Sequence, residues 1–400
     1  MKKVAVIGSG ILGLSIAYKL LKQNEDICVR IIEKENDIGK HQSGRNSGVL
    51  HCGLYYKPGS LKARLAVEGI REMTQFCKLH NIKHDICGKI VVASNQKESK
   101  LLEKLFERGV RNGLKGLKFL NEDELKAREP FVKAYKALLV PEEGIVDYKS
   151  VMDKLLNEVR RMGGEFLFNT KITRTDTTDK KIRLETTKGI ETFDLVINCT
   201  GLNTDRVYQQ LTKRKRPFRI IPFRGEYYEL KNDSKKLVNH LIYPVPDPDY
   251  PFLGVHFTRM YNGKREVGPN AVLAFKREGY KLTDFSFRDF IDSLFYKGLI
   301  NFLISNFKFS FGELRSSISK KAFLKKAQKL VPSLTVNDLT KGSAGVRAQA
   351  MSKEGELIMD FEIIKENNQI HILNAPSPGA SASLAIATYI IDTYIVKPIL

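Results

Sequence analysis

Val4-Ala5-Val6-Ile7-Gly8-Ser9-Gly10-Ile11-Leu12-Gly13 runs four apolar residues straight into three glycines at G-x-G-x-x-G spacing. An unbroken apolar run is what a strand buried on both faces needs. Apolar residues continue at helical pitch to about Lys22, a second buried run spans Cys28 to Ile32, and Glu33 ends it. The order strand, glycine turn, helix, strand, acid makes one βαβ unit. In such a unit Gly8 permits the tight turn, Gly10 lets backbone approach a pyrophosphate, and Gly13 lets helix and strand pack closely. The helix start at Ile11 and Leu12 presents free N–H groups and a partial positive charge to phosphate. Glu33, with Lys34 beside it, stands where a carboxylate accepts a hydrogen bond from a ribose 2′-hydroxyl. A dinucleotide is therefore expected here.

NAD and FAD share this fingerprint, and three further segments favour FAD. Residues 41–53 are polar and glycine-rich, too elaborate for a plain connection. Ser43, Asn46, Ser47, Gly48 and Val49 can run along a long cofactor. Near the other end Asn374-Ala375-Pro376-Ser377-Pro378-Gly379-Ala380-Ser381 precedes a final helix. Its small residues allow close approach, and the helix dipole would stabilise negative charge on a reduced flavin. Thr200-Gly201, at the end of a buried strand, adds a third close approach, and Ile172 completes the expected cofactor set. No metal site is expected.

Further along, 61–80, 98–110 and 148–162 carry helical periodicity, and 89–94, 165–171, 182–187 and 195–198 look like strands. From 216 to 275 the pattern becomes β-rich with prolines, as in an antiparallel sheet. Residues 284–331 turn helical, with many Phe and Lys. The expected fold class is α/β: a Rossmann-like FAD-binding domain of 1–85, 144–215 and 340–400, interleaved with an α+β substrate domain of 86–143 and 216–339.

The 400 residues are 42% hydrophobic, which excludes wholesale disorder. Sixty-six Lys and Arg against 45 Asp and Glu give +21. The basic residues are scattered and accompanied by acids, so they describe a solvated surface, and no nucleic-acid motif accompanies them. The five cysteines form no ligand ladder and suit a reducing compartment. With no signal peptide and no apolar run long enough to span a bilayer, a cytoplasmic protein is expected.

Several blocks carry a resemblance wider than the dinucleotide turn. They are HQSGRNSGVLHCGLYYKPGSLKARL at 41–65, CGKIVVA at 87–93, GIVDY at 144–148, IPFRGEYYEL at 221–230, HLIYPVPDPDYPFLGVHFTR at 240–259, GPNAVLAFKREGY at 268–280, GSAGVRAQA at 342–350 and NAPSPGAS at 374–381. On these the chain resembles the L-2-hydroxyglutarate dehydrogenases (oxidases), within the D-amino-acid-oxidase-like superfamily of FAD enzymes. Gly379 and Ser381 depart from the usual Ala and Thr, and both are small.

The resemblance implies oxidation of a five-carbon 2-hydroxy dicarboxylate, with quinone or oxygen as electron acceptor. Each substrate carboxylate wants Arg, Lys or Tyr. Tyr55, Arg224, Tyr243, Arg259 and Lys276 are candidates in these blocks, along with Tyr56, Tyr227 and Arg277, and Arg347 is the foremost. A base must take the hydroxyl proton; His51 is the first choice and His256 the second. Another oxidoreductase of the superfamily, acting on glycerol 3-phosphate or an amino acid, is the alternative, and a basic nucleic-acid-binding protein is the alternative outside it. The Phe-rich stretch 285–331 is expected to cover the substrate-domain sheet, with its lysines facing water. Its alternative is peripheral attachment to the cytoplasmic face of an inner membrane.

Overall fold

The computed structural model describes residues 1–24, 26–178, 181–248 and 251–395. Asp249 and Tyr250 of the 240–259 block, and the last five residues of the expected third FAD-domain segment, lie outside the described residues.

The opening βαβ unit forms the middle of a six-stranded sheet. Across it the order is Glu362–Glu366, Gln369–Asn374, Leu195–Asn198, Lys2–Ile7, Ile27–Ile32 and Glu165–Leu167. Every neighbouring pair is parallel except the first. Lys2–Ile7 therefore has a partner on each side and cover on each face, which is why Val4, Ala5 and Val6 are wholly buried. On one face Leu14, Ile16 and Leu20 of helix Ile11–Gln23 pack with Leu155 and Val159 of Tyr148–Arg161 and with Ile386 and Ile390 of Ser383–Tyr394. On the other, Ala5, Ile7, Ile32 and Val196 meet Ile182, Leu184 and Phe193 of a small antiparallel sheet of Ile172–Thr177, Ile182–Thr186 and Gly189–Phe193.

A nine-stranded sheet makes the second body. Its main path runs Val272–Leu273, Arg219–Leu230, Arg265–Gly268, His256–Arg259, Leu241–Pro244, Lys89–Ala93, Lys136–Val140 and Lys118–Leu120. All these pairs are antiparallel except Leu241–Pro244 with Lys89–Ala93. The ninth strand, Leu339–Met351, lies along Arg219–Leu230 with Arg347 opposite Phe223. The sequence shows no strand there, because Lys341-Gly342-Ser343-Ala344-Gly345 lacks apolar alternation. Residues 339–351 thus hydrogen bond into the large sheet, although 340 was expected to open a FAD-domain segment.

A three-stranded antiparallel sheet of Val49–Leu50, Gly144–Val146 and His84–Asp85 joins the two bodies. Leu50 pairs with Gly144, so the next residues outward, His51 and Glu143, are brought side by side. Residues 287–327 form helices Phe287–Leu294, Lys297–Ser305, Phe307–Ile318 and Lys320–Ala327. Leu299, Phe302, Phe323 and Leu324 are buried against the large sheet, as expected of a covering layer. Phe287, Phe295, Ile304, Phe307, Phe311 and Ile318 stay exposed, which that reading does not account for.

Candidate active site

The three glycines of the first turn have separate tasks. Gly8 holds φ at +101°, and a Cβ there would stand 2.7 Å from the Cys199 carbonyl oxygen. A Cβ on Gly13 would stand 2.0 Å from the Gly8 carbonyl oxygen, so any side chain would lever the helix off the turn. Gly10 meets only the Ser43 hydroxyl, at 3.0 Å, and borders a cleft of about 440 Å³ at the carboxyl ends of the parallel strands. Gly8, Glu33, Lys34, Ser43, Ile172, Thr200 and Gly201 line the same cleft. Such a crevice is where open α/β sheets bind ligands.

Helix Ile11–Gln23 begins with no side-chain cap, and the Ile11 N–H donates to the Ser43 hydroxyl at 3.0 Å. Leu12, one residue further in, is half-buried. One Glu33 carboxylate oxygen accepts from the Ser9 N–H and hydroxyl, each at 2.8 Å, and the other from the Glu35 N–H at 2.9 Å. The acid is thereby fixed at the strand end. Thr200 is braced by Asn198, whose side-chain oxygen accepts from its hydroxyl at 2.7 Å.

Of the outer wall of the cleft, the sequence reading singled out Lys34 but not Asn203 or Glu278. Lys34 ion-pairs with Glu35 at 2.5 Å and Glu278 at 2.8 Å, and the Asn203 amide donates to Glu278 at 2.9 Å. His41 Nδ1 lies 2.7 Å from the Tyr280 hydroxyl. Arg277 is buried, paired with Asp205 and with Asp292, and makes up part of this wall's support. Glu278 and Tyr280 lie in the GPNAVLAFKREGY block at 268–280 that carries part of the resemblance, and that block was the available signal.

The loop from Asn46 onward turns toward the large sheet. Asn46 donates to the Ser43 carbonyl at 2.7 Å and accepts from the Gly48 N–H at 3.0 Å, with Ser47 half-buried between. A Cβ on Gly48, whose φ is +69°, would stand 3.1 Å from the Val146 carbonyl oxygen. The loop meets the Ser377-Pro378-Gly379-Ala380-Ser381 turn at one atom. The Ser381 hydroxyl accepts from the His51 N–H at 3.0 Å and lies 2.8 Å from the Tyr148 hydroxyl and 3.2 Å from the Val49 carbonyl. Ser381 thus ties the segment carrying His51 to the start of the last helix.

Beyond this point the structure gathers His51, His256, Tyr55 and Tyr243. His51 and Tyr243 meet edge to face with centroids 6.4 Å apart, and His256 stacks on Tyr243 at 4.0 Å. His256 Nδ1 faces the Gly254 carbonyl at 2.9 Å, so that nitrogen carries the proton. Burial, together with the charges of Arg347, His51 and Lys89, lowers its pKa to about 3. The Tyr55 hydroxyl is buried with no hydrogen-bond partner among the described residues. Arg347 donates to the Asn270 carbonyl at 3.2 Å, and burial lowers its pKa below the usual guanidinium range. A Cβ on its neighbour Gly345 would stand 2.5 Å from the Arg45 carbonyl oxygen, so the Arg347 strand lies against the 41–53 loop.

Among the other candidate substrate ligands, Arg224 and Arg259 are held by other residues and Lys276 faces solvent. Arg224 donates to the Lys281 carbonyl at 3.0 Å and ion-pairs with Glu226 at 3.1 Å; Arg259 pairs with Asp85 at 3.0 Å; Lys276 is exposed. Two residues the sequence did not single out stand in the cluster instead. Lys89 and Glu143 are wholly buried, 2.7 Å apart, and Glu143 lies 3.3 Å from His51 Nδ1. A lysine opening the apolar run Ile90-Val91-Val92-Ala93 was the signal.

A sequence profile described as FAD dependent oxidoreductase (DAO) matches residues 3–393. The chain belongs to this family. FAD is its cofactor, and the cleft fits that group: Gly10 keeps the turn bare where it borders the cleft, helix Ile11–Gln23 starts there with no cap of its own beyond the Ser43 hydroxyl on Ile11, and an acid is fixed at the second strand's end. The chain is 47% identical over 384 residues to the L-2-hydroxyglutarate dehydrogenase of Indibacter alkaliphilus, covering 96% of each. It is 41% identical to that of Escherichia coli strain K12, covering 98% of this chain and 93% of the other. Among solved structures, the L-alpha-glycerophosphate oxidase of Mycoplasma pneumoniae with FAD bound superposes with a TM-score of 0.77 at 21% identity, covering 97% of this chain and 94% of that one. That likeness confirms the expected α/β fold of this FAD-dependent oxidoreductase: a parallel Rossmann-like sheet beside a largely antiparallel one.

Proposed function

We propose that this FAD-dependent oxidoreductase converts L-2-hydroxyglutarate to 2-oxoglutarate, with His51 as the base. The observation that carries the reading is the His51 imidazole held against a buried carboxylate, in the cluster that contains Tyr243, His256 and the unpartnered Tyr55 hydroxyl. Bound FAD supplies the two-electron acceptor that takes hydride from C2 at its N5. His51 takes the hydroxyl proton as the carbonyl forms. Arg347 offers a planar fork suited to one substrate carboxylate, and the Tyr55 hydroxyl a further donor. His256, neutral at physiological pH, keeps Nδ1 on Gly254 and leaves Nε2 to accept. The 47% and 41% identities to L-2-hydroxyglutarate dehydrogenases support the substrate, whereas the glycerophosphate oxidase supports fold alone. Anaerobic mixing tests the reading: L-2-hydroxyglutarate should bleach the flavin far faster than its D isomer, glycerol 3-phosphate or L-amino acids. Equal bleaching by glycerol 3-phosphate would replace it with the alternative.

Of the two expected acceptors, quinone and oxygen, we infer a membrane quinone, because the exposed apolar row on residues 287–318 supports contact with an anionic membrane surface. Phe287, Phe295, Ile304, Phe307, Phe311 and Ile318 are each more than half exposed, and Lys297, Lys308, Arg315 and Lys321 stand exposed among or beside them. Apolar side chains flanked by cations match the boundary of a negatively charged bilayer. No helix among the described residues is long and apolar enough to cross a membrane.

A further inference from the structure

Glu143 is wholly buried and shared between a lysine and a histidine. Its Oε1 lies 2.7 Å from Lys89 Nζ and 3.4 Å from the Cys52 thiol, and its Oε2 lies 3.3 Å from His51 Nδ1. The Gly88 N–H donates to the Glu143 carbonyl at 2.8 Å, which locks the Lys89 strand to the same residue. Lys89 Nζ is further enclosed by the rings of Tyr55 at 4.3 Å and Tyr243 at 4.9 Å. Burial pushes the Glu143 carboxyl up, but Lys89 and His51 outweigh it and hold the pKa at about 2, so it is a carboxylate throughout the working range.

Stability does not explain such a pair. Two buried charges lose their hydration, and apolar residues of similar volume are often as stable. The location offers another account. A carboxylate at Nδ1 fixes the imidazole tautomer and ring orientation, leaving Nε2 unprotonated and able to accept. A carboxylate alone would also favour the imidazolium strongly, and an imidazolium cannot act as a base. A lysine on the carboxylate's other oxygen partly cancels that field.

We propose that Glu143 is a positioning residue that orients His51, and that Lys89 tempers its field so that His51 remains a neutral base. This rests on the reading of His51 as the base. The two charges act in opposition, and a merely structural pair would not. The ionisable groups around them are His51, Cys52, Tyr55 and Tyr56 from the 51–56 segment, Cys87 beside the Lys89 strand, Tyr148 from its helix, and Tyr243, His256 and Arg347 from the large sheet. Burial raises the pKa of both cysteines and all four tyrosines, so all six stay protonated near neutrality.

The test uses the flavin-loaded enzyme and histidine-selective NMR, with the His51 signal assigned by its loss in His51→Ala. In Glu143→Gln the titration midpoint of that signal should fall by about one pH unit or more, the size expected on losing an adjacent opposite charge. In Lys89→Met it should rise. The acid limb of the flavin-reduction rate should move the same way in each variant. The plateau rate of Glu143→Gln should drop at least about tenfold, with the substrate concentration at half-saturation little changed. Should Lys89→Met fail to fold, the double variant Lys89→Met/Glu143→Gln, which leaves no buried charge, should place the midpoint above that of Glu143→Gln alone. Midpoints that stay put or move together overturn the proposal while leaving His51 as base. A native reduction rate in His51→Ala overturns both.

Discussion

The imidazole of His256 lies on the ring of Tyr243, centroids 4.0 Å apart, and turns its Nδ1 to the carbonyl of Gly254. The two histidines read from the sequence as rival bases therefore sit on the same tyrosine in different electrostatic settings. His51 has a carboxylate at Nδ1, whereas His256 has a carbonyl there and is buried near the charges of Arg347 and Lys89. A base must carry the proton it takes, and only the first setting stabilises that charge.

His51→Ala should accordingly lower the rate of flavin reduction at saturating substrate by about 10²–10⁴. His256→Asn should retain a larger share of the rate and lose apparent affinity instead. Its pKa of about 3 lies below the unfolded histidine value of 6.5. Between these limits the unfolded chain binds the proton and the folded chain does not, so stability falls as pH drops through that window. His256→Asn should flatten this fall, read as Tm between pH 7 and pH 4. A native rate in His51→Ala with loss in His256→Asn would exchange their roles.

The glycine turn separates cofactor contact from folding. Gly10→Asp adds a charged side chain that meets only the Ser43 hydroxyl, so the protein should fold and purify without flavin. Gly13→Ala drives a Cβ to 2.0 Å from the Gly8 carbonyl, and should cost stability on the order of 3 kcal/mol as well as flavin. Flavin absorbance per protein and thermal denaturation measure the two effects. A fully yellow Gly10→Asp protein would contradict the cleft assignment.

How much of this was legible in the sequence follows from the reach of each signal. Val4–Ile7, Gly8, Gly13 and Glu33 belong to one local unit, so their spacing alone announces the fold. The covering helices show in the periodicity of Leu299 and Phe302, but periodicity does not say that Phe295 and Phe307 would face out. Leu339–Met351 stayed hidden because its edges are satisfied by Arg219–Leu230 a hundred residues earlier, not by its own pattern. Glu143 was invisible for the same reason. Its significance lies in the register of Leu50 with Gly144 and in a lysine from a different sheet, relationships that exist only after folding. Arg224 and Arg277 show the converse: their residue type suited a substrate carboxylate, while Glu226 and Asp205 already hold them.

Arg206, Arg216 and Arg277 converge on Asp292, at 2.9, 2.8 and 3.2 Å, and tie helix Phe287–Leu294 to the wall of the cofactor cleft. Burial pushes the Asp292 carboxyl up, but the guanidiniums outweigh it and hold it well below the usual carboxylate range. Its contribution is thus complete above the unfolded value near 3.8 and is lost as pH falls through the lower folded value. Asp292→Asn should lower stability at pH 7 by about 2 kcal/mol, since it removes the charge that Arg206, Arg216 and Arg277 share and leaves them only Asp289 and Asp205. The gap between variant and native protein should narrow below pH 4 in a denaturation series. A gap that is constant with pH would mean the carboxylate's charge is not what matters.

The exposed row from Phe287 to Ile318 yields the last expectation. Some apolar surface on any protein is ordinary, but here six large side chains on consecutive helices stand out together while Leu299 and Phe302 of the same segment fill the core. Their lysines differ in availability. Lys320 donates to the Leu339 carbonyl and Lys326 pairs with Glu313, each at under 3 Å, whereas Lys321, Lys325 and Lys329 are exposed. Each cation near an anionic surface adds about 1 kcal/mol, which salt screens. The protein should float with vesicles containing phosphatidylserine at low salt and less at moderate salt. Replacing Lys321, Lys325 and Lys329 by Gln should weaken binding by roughly a hundredfold, from three such contributions of about 1 kcal/mol. Phe295→Ser with Phe307→Ser should weaken it at every salt concentration, because the apolar contribution does not depend on screening. Substitutions at Lys320 and Lys326 should leave flotation nearly unchanged. Protein that stays with the soluble fraction at low salt rules out the membrane contact and moves the acceptor to oxygen or a soluble carrier.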